Sequence, residues 1–418
     1  MTGSTTCAIV GGGPAGIMLG LLLSRAGIDV TVLEKHPDFL RDFRGDTVHP
    51  TTQVVLEQLS LTDAFQRIVR GRVRTITMGR PEHTLLHAEV ATAAPRARFR
   101  EIALAPQWDL LDLLVNEAQR SPHFHLKMAA ECTGSLIEPT GAVTGVTYRD
   151  TDGEHALRAV LTVAADGRDS KTRDAIGSAS VDLGAPMDVL WFRISRKESD
   201  GDGLQGMLGQ GEIAIAIDRG DYWQVAQLIP KGSFETVREA GLESFRARVT
   251  ELLPFTAGRT GEIAGWGDVK TLNVGLARLR RWHGRGILAI GDAAHTMSPI
   301  GGVGINLAVQ DAVAAANELA GPLLRAQHDP DRFSKTLNPL ILARIGRRRL
   351  LPTVLTQALQ RIAQRRVIGS TLGTGSPRIP FLIAADLRNN GLIARLLVRV
   401  LVYGVRPERI RSPAILDS

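Results

Sequence analysis

Residues 7–34 read CAIVGGGPAGIMLGLLLSRAGIDVTVLE, and this stretch decides the fold of the chain. The apolar run Cys7–Val10 predicts a buried strand, and the residues Pro14–Ala26 have the composition of a helix that Gly27 ends. A second strand is predicted over Val30–Leu33. Strand, glycine turn, helix and strand form a βαβ unit, which implies a parallel sheet with a right-handed crossover.

The turn of this unit has the spacing Gly11-x-Gly13-x-x-Gly16. Gly11 permits a tight turn, Gly13 lets a pyrophosphate approach the backbone, and Gly16 lets the helix pack closely on the strand. The helix N-terminus adds about half a unit of positive charge. Glu34 ends the second strand, where a carboxylate accepts hydrogen bonds from ribose hydroxyls and repels a 2′-phosphate. These residues predict tight binding of FAD or NAD(H) rather than NADP(H).

The βαβ pattern is interrupted by a group of strands and then resumes. In chain order the predicted elements are a helix over Trp108–Gln119, strands over Val143–Tyr148 and Leu157–Ala165, an antiparallel group over Asp188–Ser195, Glu212–Asp218 and Tyr222–Ile229, a strand over Ile287–Ile290, and a helix through about Leu319. The fold class is therefore α/β, with a GxGxxG Rossmann-like domain, an inserted antiparallel β-sheet substrate domain and a C-terminal helical region.

We place the domain bounds from the same pattern. The nucleotide-binding domain comprises residues 1–180 and 271–330, the β-rich substrate domain residues 181–270, and the basic helical C-terminal region residues 331–418. Parts of residues 72–105 are candidates for an extension of the substrate sheet.

The composition is that of a globular, enzyme-sized chain. Its 418 residues are 44% hydrophobic and 22% charged, which provides an ample core and excludes a disordered or fibrous protein. No run of about eighteen uncharged apolar residues and no signal-peptide pattern occurs, so a cytoplasmic location is predicted. Cys7 and Cys132 have no CxxC or histidine partner; we expect reduced core residues and no metal site.

Two further motifs follow predicted strands. Asp166-Gly167-Arg168-Asp169-Ser170 comes after Ala165 and is either a ligand-binding turn or a β-turn before a helix capped by Asp169 or Ser170. Gly291-Asp292 follows the strand that ends at Ile290, and a glycine-rich segment from Pro299 to Asn306 then opens a helix. An aspartate at the carboxyl end of a strand faces the ligand crevice of an open sheet, and glycines before a helix leave its amides bare for an anion. Together with the first turn, these motifs imply an extended ligand.

The three motifs in this order resemble the FAD-dependent aromatic-ring hydroxylases of the para-hydroxybenzoate hydroxylase type, the class A flavoprotein monooxygenases, over roughly residues 5–325. The resemblance makes the Rossmann-like domain an FAD-binding domain. By matched position, the cofactor-binding residues are Gly11, Gly13, Pro14, Ala15, Gly16, Glu34, Lys35, Arg44, Gln107, Asp166, Gly291, Asp292, Pro299, Gly301, Gly302, Gly304, Ile305 and Asn306.

The resemblance also implies a role for most of these residues. The glycine turn would face the pyrophosphate, Glu34 the adenosine ribose, Arg44 the phosphates and the moving flavin, Gln107 and Asp292 the ribityl chain, Asp166 both FAD and the nicotinamide donor, and Pro299–Asn306 the isoalloxazine, with the Ile305 and Asn306 amides near its pyrimidine edge. A helix N-terminus at that edge stabilises the anionic reduced flavin by about 0.3–2 kcal/mol.

The activity that the resemblance implies is hydroxylation of an electron-rich, hydrophobic aromatic or heteroaromatic ring by O2 through a flavin hydroperoxide. NADH or NADPH would be a transient electron donor. Two alternatives stay open, namely an FAD-dependent reductase or dehydrogenase of the same fold acting on an isoprenoid or quinone, and a non-catalytic flavin-binding protein. The resemblance identifies no catalytic base.

Three residues are candidates for a catalytic role, namely Tyr222, His295 and Pro299. For Tyr222 core packing is the favoured interpretation, and for His295 support of the backbone is favoured. Apolar residues of the inserted strands are candidates for the substrate pocket: Met187, Leu190, Phe192, Met207, Ile215 and Leu228.

The C-terminal region is strongly basic. Residues 331–418 contain sixteen Lys and Arg against four Asp and Glu, in a chain of net charge +7. The arginines are not interleaved with aromatic residues, so nucleic acid is not a predicted partner. Predicted helices cover Phe333–Leu350, Thr353–Val367 and Leu382–Tyr403, separated by Pro352 and by Gly369–Pro377.

Arg395 and Arg399 fall on one face of the last predicted helix, which is otherwise apolar. Two interpretations follow. Either the helices cap the flavin domain or a second subunit and present a solvated basic face, or they lie on a membrane surface with arginines among anionic headgroups. The sequence does not decide between them, nor does it indicate an oligomeric state.

Overall fold

The computed structural model of the chain describes residues 2–40, 47–80, 83–201, 203–208, 212–329, 331–333, 335, 337–365 and 381–416. The predicted βαβ unit is confirmed, with strand Thr2–Val10, helix Pro14–Arg25 and strand Val30–Leu33. The two strands pair in parallel, and Cys7 lies opposite Val30. The helix packs closely on the sheet because Gly20 leaves room for the ring of Phe124.

The first sheet is built around this unit. Its parallel strands lie in the order Ile287–Ala289, Gly153–Ala164, Thr2–Val10, Val30–Leu33 and Phe124–Lys127. Antiparallel strands extend it, namely Glu131–Ile137, Val143–Asp150 and His283–Gly284. The strand at residues 287–289 pairs in parallel with strand Gly153–Ala164 across more than 120 intervening residues, so this sheet is discontinuous in sequence.

The inserted sheet contains the predicted antiparallel group and four further strands, two of which come from residues 72–105, the candidates for its extension. Its strands lie in the order Lys270–Leu272, Met187–Ser195, Tyr222–Pro230, Ile213–Asp218, Leu204–Leu208, Thr75–Arg80 and His83–Glu89. The last two strands come from the N-terminal part of the chain and join through a parallel pairing with residues 204–207. The division into domains at residues 180, 270 and 330 stays a prediction.

The remaining strands form two small sheets, Thr47–Val48 with Ile102–Leu104 and Gly71–Val73, and Ser180–Asp182 with Ala277–Leu279 and His295–Thr296. The remaining α-helices are Pro50–Gln58, Thr62–Ile68, Val90–Ala93, Gln107–Ala118, Phe234–Glu239, Leu242–Leu252, Gly304–Gln327, Pro339–Ala363, Phe381–Arg388, Leu392–Val398 and Pro413–Leu416. Short 3-10 turns include Thr172–Ile176, Gly291–Ala293 and Ile300–Gly302. We call residues 296–303 the glycine loop, Gly304–Gln327 the central helix and Pro339–Ala363 the C-terminal helix.

The two faces of the inserted sheet have different partners. Leu190 and Phe192 point to one face, where they pack with Phe245 of helix Leu242–Leu252. Met187 and Leu228 belong to a cluster on the other face, and Ile300 of the glycine loop packs against that cluster. Our six candidates for one pocket face are therefore divided, since Met207 packs with the first cluster and Ile215 with the second.

The C-terminal helix differs from prediction at its start and at Pro352. It begins at Pro339 rather than Phe333, and it runs through Pro352 without a break. A proline inside a helix removes one backbone hydrogen bond and costs about 3 kcal/mol. The helix continues because both halves are fastened to the fold, by Arg349 before the proline and by Gln357 and Gln360 after it. The predicted break at Gly369–Pro377 lies outside the described residues.

The segment 392–403 packs against the body of the protein. Ala394, Val398, Val402 and Tyr403 are buried in a cluster with residues of four strands and of helix Val90–Ala93, and the Tyr403 hydroxyl donates to the Val90 carbonyl over 3.2 Å. These four side chains form the inner face of the segment, and through this face the segment caps the fold. Within the part of the chain that the structure describes, no helix is both long and apolar enough to cross a membrane.

Candidate cofactor site

The glycine turn has the geometry that the sequence predicts. Gly11 lies at φ +109°, and a β-carbon there would stand 2.3 Å from the Ala165 carbonyl oxygen. A β-carbon at Gly16 would stand 2.0 Å from the Gly11 carbonyl oxygen, so the helix contacts the turn directly. A β-carbon at Gly13 would meet no atom within 4 Å. The turn is thus packed closely behind and open in front, at a helix N-terminus that no side chain caps.

Glu34 is tied to this turn. Its carboxylate accepts hydrogen bonds from the Gly12 amide over 2.8 Å and from the His36 amide over 3.1 Å, and it pairs with the His36 ring. Burial alone would raise the pKa of Glu34, but the hydrogen bonds from His36 and Gly12 outweigh it and lower the pKa below the usual value. The carboxylate is therefore ionised beside the turn, as an acceptor for ribose hydroxyls requires.

Replacing Glu34 by alanine is expected to weaken FAD retention. A charged acceptor of a hydroxyl hydrogen bond is worth roughly 1.5–3 kcal/mol, which corresponds to a loss of tenfold or more in affinity. FAD content after gel filtration measures the effect. His36→Ala is the matched control, because it removes a partner of the carboxylate and leaves its bond to Gly12. Unchanged FAD content in Glu34→Ala would rule out the ribose role.

Asp166 adjoins the glycine turn, since a β-carbon on Gly11 would stand 2.8 Å from its α-carbon. Its carboxylate accepts hydrogen bonds from the Ser170 hydroxyl and, over 2.9 Å, from the Thr172 hydroxyl. The Ser170 hydroxyl accepts from the Arg173 amide over 3.1 Å, so Ser170, one of the two residues that we considered, caps the 3-10 turn Thr172–Ile176. Asp166 adds a bond from the Thr172 amide over 3.3 Å. Asp166 therefore stabilises the local turn and also lies beside Gly11, where a ligand-binding residue is expected.

The Gly291–Asp292 turn lies against the start of helix Pro14–Arg25. Gly291 lies at φ +59°, and a β-carbon there would stand 3.0 Å from the β-carbon of Ala15. The Gly291 amide donates to the buried Asp311 of the central helix over 3.1 Å. Asp292 is half-buried in the same turn. The Gly291–Asp292 turn therefore continues the surface that begins at Gly13.

The glycine loop is attached to residues 47–52 by the side chain of Asn306. The Asn306 amide nitrogen donates to the carbonyls of Thr47 and Gly302, each over 3.1 Å. Its oxygen accepts from the His49 amide over 2.8 Å and from the Thr52 hydroxyl over 2.7 Å. We predicted only the backbone amide of Asn306; the structure shows that its side chain joins two segments of the site.

The glycines of this loop differ in what surrounds them. A β-carbon at Gly302 would stand 2.2 Å from the Thr47 hydroxyl oxygen, and one at Gly301 would meet Leu401 at 3.4 Å. Gly304 begins the central helix, and a β-carbon there would meet no atom within 4 Å. The open approach at this end is therefore at Gly304, whereas Gly302 is needed for packing against Thr47.

His49 predicts a pH dependence of stability. Burial lowers its pKa from 6.5 to about 4, although contacts with the carbonyls of Gly301, Val402 and Leu401 act in the opposite direction. The unfolded chain therefore takes up a proton below pH 6.5 that the folded chain does not take up until about pH 4. We expect this residue to reduce the free energy of unfolding by roughly 3 kcal/mol as the pH falls through that interval.

Urea unfolding of the wild type and of His49→Gln across this pH interval measures the effect. The free energy of the variant is expected to fall less steeply with acidification. Parallel pH curves for the two proteins would show that His49 is not the titrating group.

The remaining predicted cofactor residues have less specific surroundings. Pro14 is the first residue of its helix and Gln107 the first of helix Gln107–Ala118. Lys35 is exposed beside Glu34, and Ile305 is buried in the first turn of the central helix. Arg44 lies outside the described residues.

The catalytic candidates are not gathered at one place. Tyr222 pairs with Ser195, at the end of the strand pair opposite to Met187 and Pro230, and the Arg193 guanidinium lies 4.8 Å from its ring centre. Eight residues of strand span about 26 Å, so Tyr222 is remote from the end near Met187. His295 is 1% exposed and bonded to Asp311 over 2.6 Å, so it supports the turn below the site. Pro299 lies in the glycine loop, directly before the 3-10 turn Ile300–Gly302.

Three separate segments therefore form one continuous surface: the turn at Gly11–Gly16 with Glu34 and Asp166, the turn at Gly291–Asp292, and the glycine loop with the start of the central helix. Two helix N-termini without side-chain caps open onto it at Gly13 and Gly304. Bare amides at these positions suit an anionic pyrophosphate at one end and an anionic ring at the other. The residues present fit FAD.

Comparison with known proteins agrees with this geometry. A model of the FAD binding domain family matches residues 4–332. The 6-methylpretetramide 4-monooxygenase of Streptomyces rimosus is 30% identical over 324 residues, which cover 77% of this chain and 76% of that protein. The dialkyldecalin synthase of Streptomyces rugosporus is 26% identical over 414 residues, with 91% and 83% coverage. The structure of p-nitrophenol 4-monooxygenase from Pseudomonas putida shares the fold, with a TM-score of 0.75, 17% identity, and coverage of 96% and 97%.

Proposed function

This chain belongs to the FAD binding domain family, and from that premise we propose that it is an NAD(P)H-dependent monooxygenase that hydroxylates an electron-rich, hydrophobic aromatic or heteroaromatic ring. One observation carries the proposal. The glycine loop, where the reactive end of FAD is expected, packs through Ile300 against the apolar face of the inserted sheet. An apolar substrate on that face would lie beside the reactive end of the cofactor.

The chain's own residues would bind and orient the cofactor and the substrate, and they would exclude water from the site. Bound FAD supplies the redox chemistry, namely acceptance of electrons from a nicotinamide and activation of dioxygen. The amides at Gly304 and Ile305 would stabilise negative charge at the pyrimidine edge, and Glu34 would hold the adenosine end. The buried side chains Val189 and Leu228 give the substrate side a surface that excludes water.

The relatives support the substrate class. The names of the Streptomyces rimosus and Pseudomonas putida proteins describe monooxygenases of aromatic compounds. The Streptomyces rugosporus relative is named instead as a synthase of a dialkyldecalin. A reductase or dehydrogenase, or a non-catalytic flavin protein, is the alternative that the test must separate from a hydroxylase.

The test is substrate-stimulated NADH and NADPH oxidation across phenols, quinolones and quinols, followed by mass spectrometry of the product under ¹⁸O2. One labelled oxygen atom in the product is the expected result. Oxidation of the nicotinamide with an unlabelled, reduced product would instead indicate a reductase. If the protein binds FAD but none of these compounds stimulates oxidation of NADH or NADPH, the protein is non-catalytic or catalyses no redox reaction.

We propose in addition that the C-terminal region of a cytoplasmic protein contacts an anionic membrane surface through its outer face. Leu392 and Leu396 are 79% and 60% exposed, and Arg395 and Arg399 are exposed on the same segment. Apolar side chains flanked by arginines suit the boundary between headgroups and acyl chains. The inner face of the segment stays packed on the fold, so capping and membrane contact are compatible.

Vesicle flotation tests this contact with phosphatidylserine vesicles and with phosphatidylcholine vesicles. Binding to the anionic vesicles at low salt, weakened at high salt and in Leu392→Ser/Leu396→Ser, is the expected result. Absence of binding to anionic vesicles at low salt would leave the segment with its capping role alone.

A further inference from the structure

A row of buried polar side chains on the C-terminal helix faces the glycine loop. Its members, which we call the polar ridge, are each at most 2% exposed: Arg349, Thr353, Thr356, Gln357 and Gln360. A buried amide or guanidinium without a partner costs about 1–3 kcal/mol or more, so the partners of these groups show what the ridge does. Gln357 and Gln360 reach the backbone of the glycine loop, and Arg349 reaches the carboxylate of Asp311.

Gln360 holds the backbone on both sides of Pro299. Its amide nitrogen donates to the carbonyl of Ser298 over 2.9 Å and to that of Ile300 over 2.8 Å. Its oxygen accepts from the Ser298 amide over 3.2 Å. Because a proline cannot donate a backbone hydrogen bond, this part of the loop has few ways of its own to fix its conformation. One glutamine side chain supplies three bonds to it.

Gln357 holds the beginning of the same loop. Its amide nitrogen donates to the carbonyls of Ala277 and Thr296 over 2.9 and 3.3 Å, and its oxygen accepts from Arg278 over 3.0 Å. Ala277 and Thr296 are cross-strand neighbours. Gln357 therefore fastens the short strand pair from which the glycine loop departs.

Arg349 is connected to the Gly291–Asp292 turn through the carboxylate of Asp311. Its Nε donates to one Asp311 oxygen over 2.8 Å, and the other oxygen accepts from the Gly291 amide and contacts the His295 ring. Burial would raise the pKa of Asp311, but His295 and Arg349 outweigh it and hold the pKa below its usual value. The carboxylate and the guanidinium form a buried ion pair, and Nη1 of Arg349 also lies 3.7 Å from the buried carboxylate of Glu408.

We propose that Gln357, Gln360 and Arg349 are positioning residues for the flavin, and that the C-terminal helix is an integral wall of the cofactor site. The helix lies beyond residue 332, where the match to the FAD binding domain family ends, so this wall belongs to the part of the chain that the family match does not cover. The inference rests on the proposed function only in naming the flavin as the group positioned. The contacts with the loop stand independently of it.

The test compares Gln357→Ala and Gln360→Ala with the matched control Gln364→Ala. Gln364 is the residue directly after the last residue of the same helix, and at 1% exposure it is as buried as the test residues. Its amide nitrogen has no hydrogen-bond partner among the described residues. Hydrogen–deuterium exchange of residues 296–302 is measured on the FAD-free form of each variant. The FAD dissociation constant and the visible circular dichroism of bound FAD are then measured on the same variants.

We expect the two test variants to exchange these loop amides at least about tenfold faster and to bind FAD about tenfold more weakly, with altered visible circular dichroism. The control is expected to match the wild type. Gln360→Glu keeps the acceptor for the Ser298 amide and loses the two donors, so it should protect Ser298 and still weaken FAD binding. These signals report on the loop and the flavin, which a general loss of stability would not single out.

Loop exchange, FAD affinity and circular dichroism that equal those of the control would overturn the proposal. So would a failure of all three test variants to fold while Gln364→Ala folds, because the ridge would then be a requirement of the whole fold. If the wild type takes up no FAD, the proposed function fails; the exchange comparison on the FAD-free chain still decides whether the ridge holds the loop.

Discussion

Replacing Gly13 by valine is expected to abolish tight FAD binding and to leave the FAD-free fold intact. The backbone at Gly13 is extended, at φ −77° and ψ −177°, and a β-carbon there would meet no protein atom within 4 Å. The new side chain therefore begins in open space in front of the turn rather than against protein atoms. Each charge-assisted hydrogen bond lost is worth about 1.5–3 kcal/mol, so the dissociation constant should rise roughly a hundredfold or more.

Thermal unfolding of the FAD-free chain and FAD titration measure the two halves of this expectation. Gly16→Ala is the contrasting variant, since its β-carbon would lie 2.0 Å from the Gly11 carbonyl oxygen and should destabilise the protein even without FAD. Wild-type FAD affinity in Gly13→Val would contradict the placement of the pyrophosphate at this turn.

Replacing Gly302 by valine is expected to lower both flavin content and stability. Gly302 lies at φ +60°, a backbone region that costs other residues roughly 1–2 kcal/mol, and its β-carbon would stand 2.2 Å from the Thr47 hydroxyl oxygen. Overpacking adds about 1–3 kcal/mol. Because Thr47 donates to the Gly302 carbonyl, the substitution also disturbs the join between the loop and residues 47–52.

The double variant Gly302→Val/Thr47→Ala separates the two causes. It removes the closest overlap, that with the Thr47 hydroxyl oxygen, and keeps the backbone strain, so it should recover part of the stability measured by urea unfolding. Flavin content and unfolding stability of Gly302→Val equal to those of the wild type would refute the close packing between the loop and Thr47.

The parts of the fold that depend on local pattern could be predicted from the sequence. The βαβ unit follows from Cys7–Val10, the glycine turn and Val30–Leu33, because each of its steps needs residue types that few other structures require. The return of the first sheet at Ile287 is also readable, since a short apolar strand precedes Gly291-Asp292. Both are confirmed.

Face assignments in the inserted sheet were also within reach of the sequence. Side chains alternate along a strand, so Met187 and Leu190 cannot share a face in a regular strand. We grouped them by apolarity alone, and the structure separates them. The remoteness of Tyr222, by contrast, depends on which end of the strand meets the glycine loop, and this requires the tertiary structure.

The polar ridge could not have been identified from the sequence. Thr353, Thr356, Gln357 and Gln360 recur at the spacing of one helical face, a pattern typical of a solvated stripe on a surface helix. Thr353 donates within its own helix, to the Arg349 carbonyl, but the amide nitrogens of Gln357 and Gln360 donate to backbone carbonyls about 60 or more residues earlier in the chain, which carry no side-chain signature. The same contacts explain why Pro352 does not end the helix, although its local effect is to break one.

The central claim is that three segments bind FAD along its whole length, from the adenosine ribose at Glu34 to the ring at the glycine loop. Titration of the FAD-free chain with FAD and with FMN, followed by flavin fluorescence, tests it most directly, because FMN lacks the adenosine half. The account predicts one FAD bound per chain and affinity for FMN weaker by at least about a hundredfold. A chain that binds neither flavin, or that binds FMN as tightly as FAD, would contradict it.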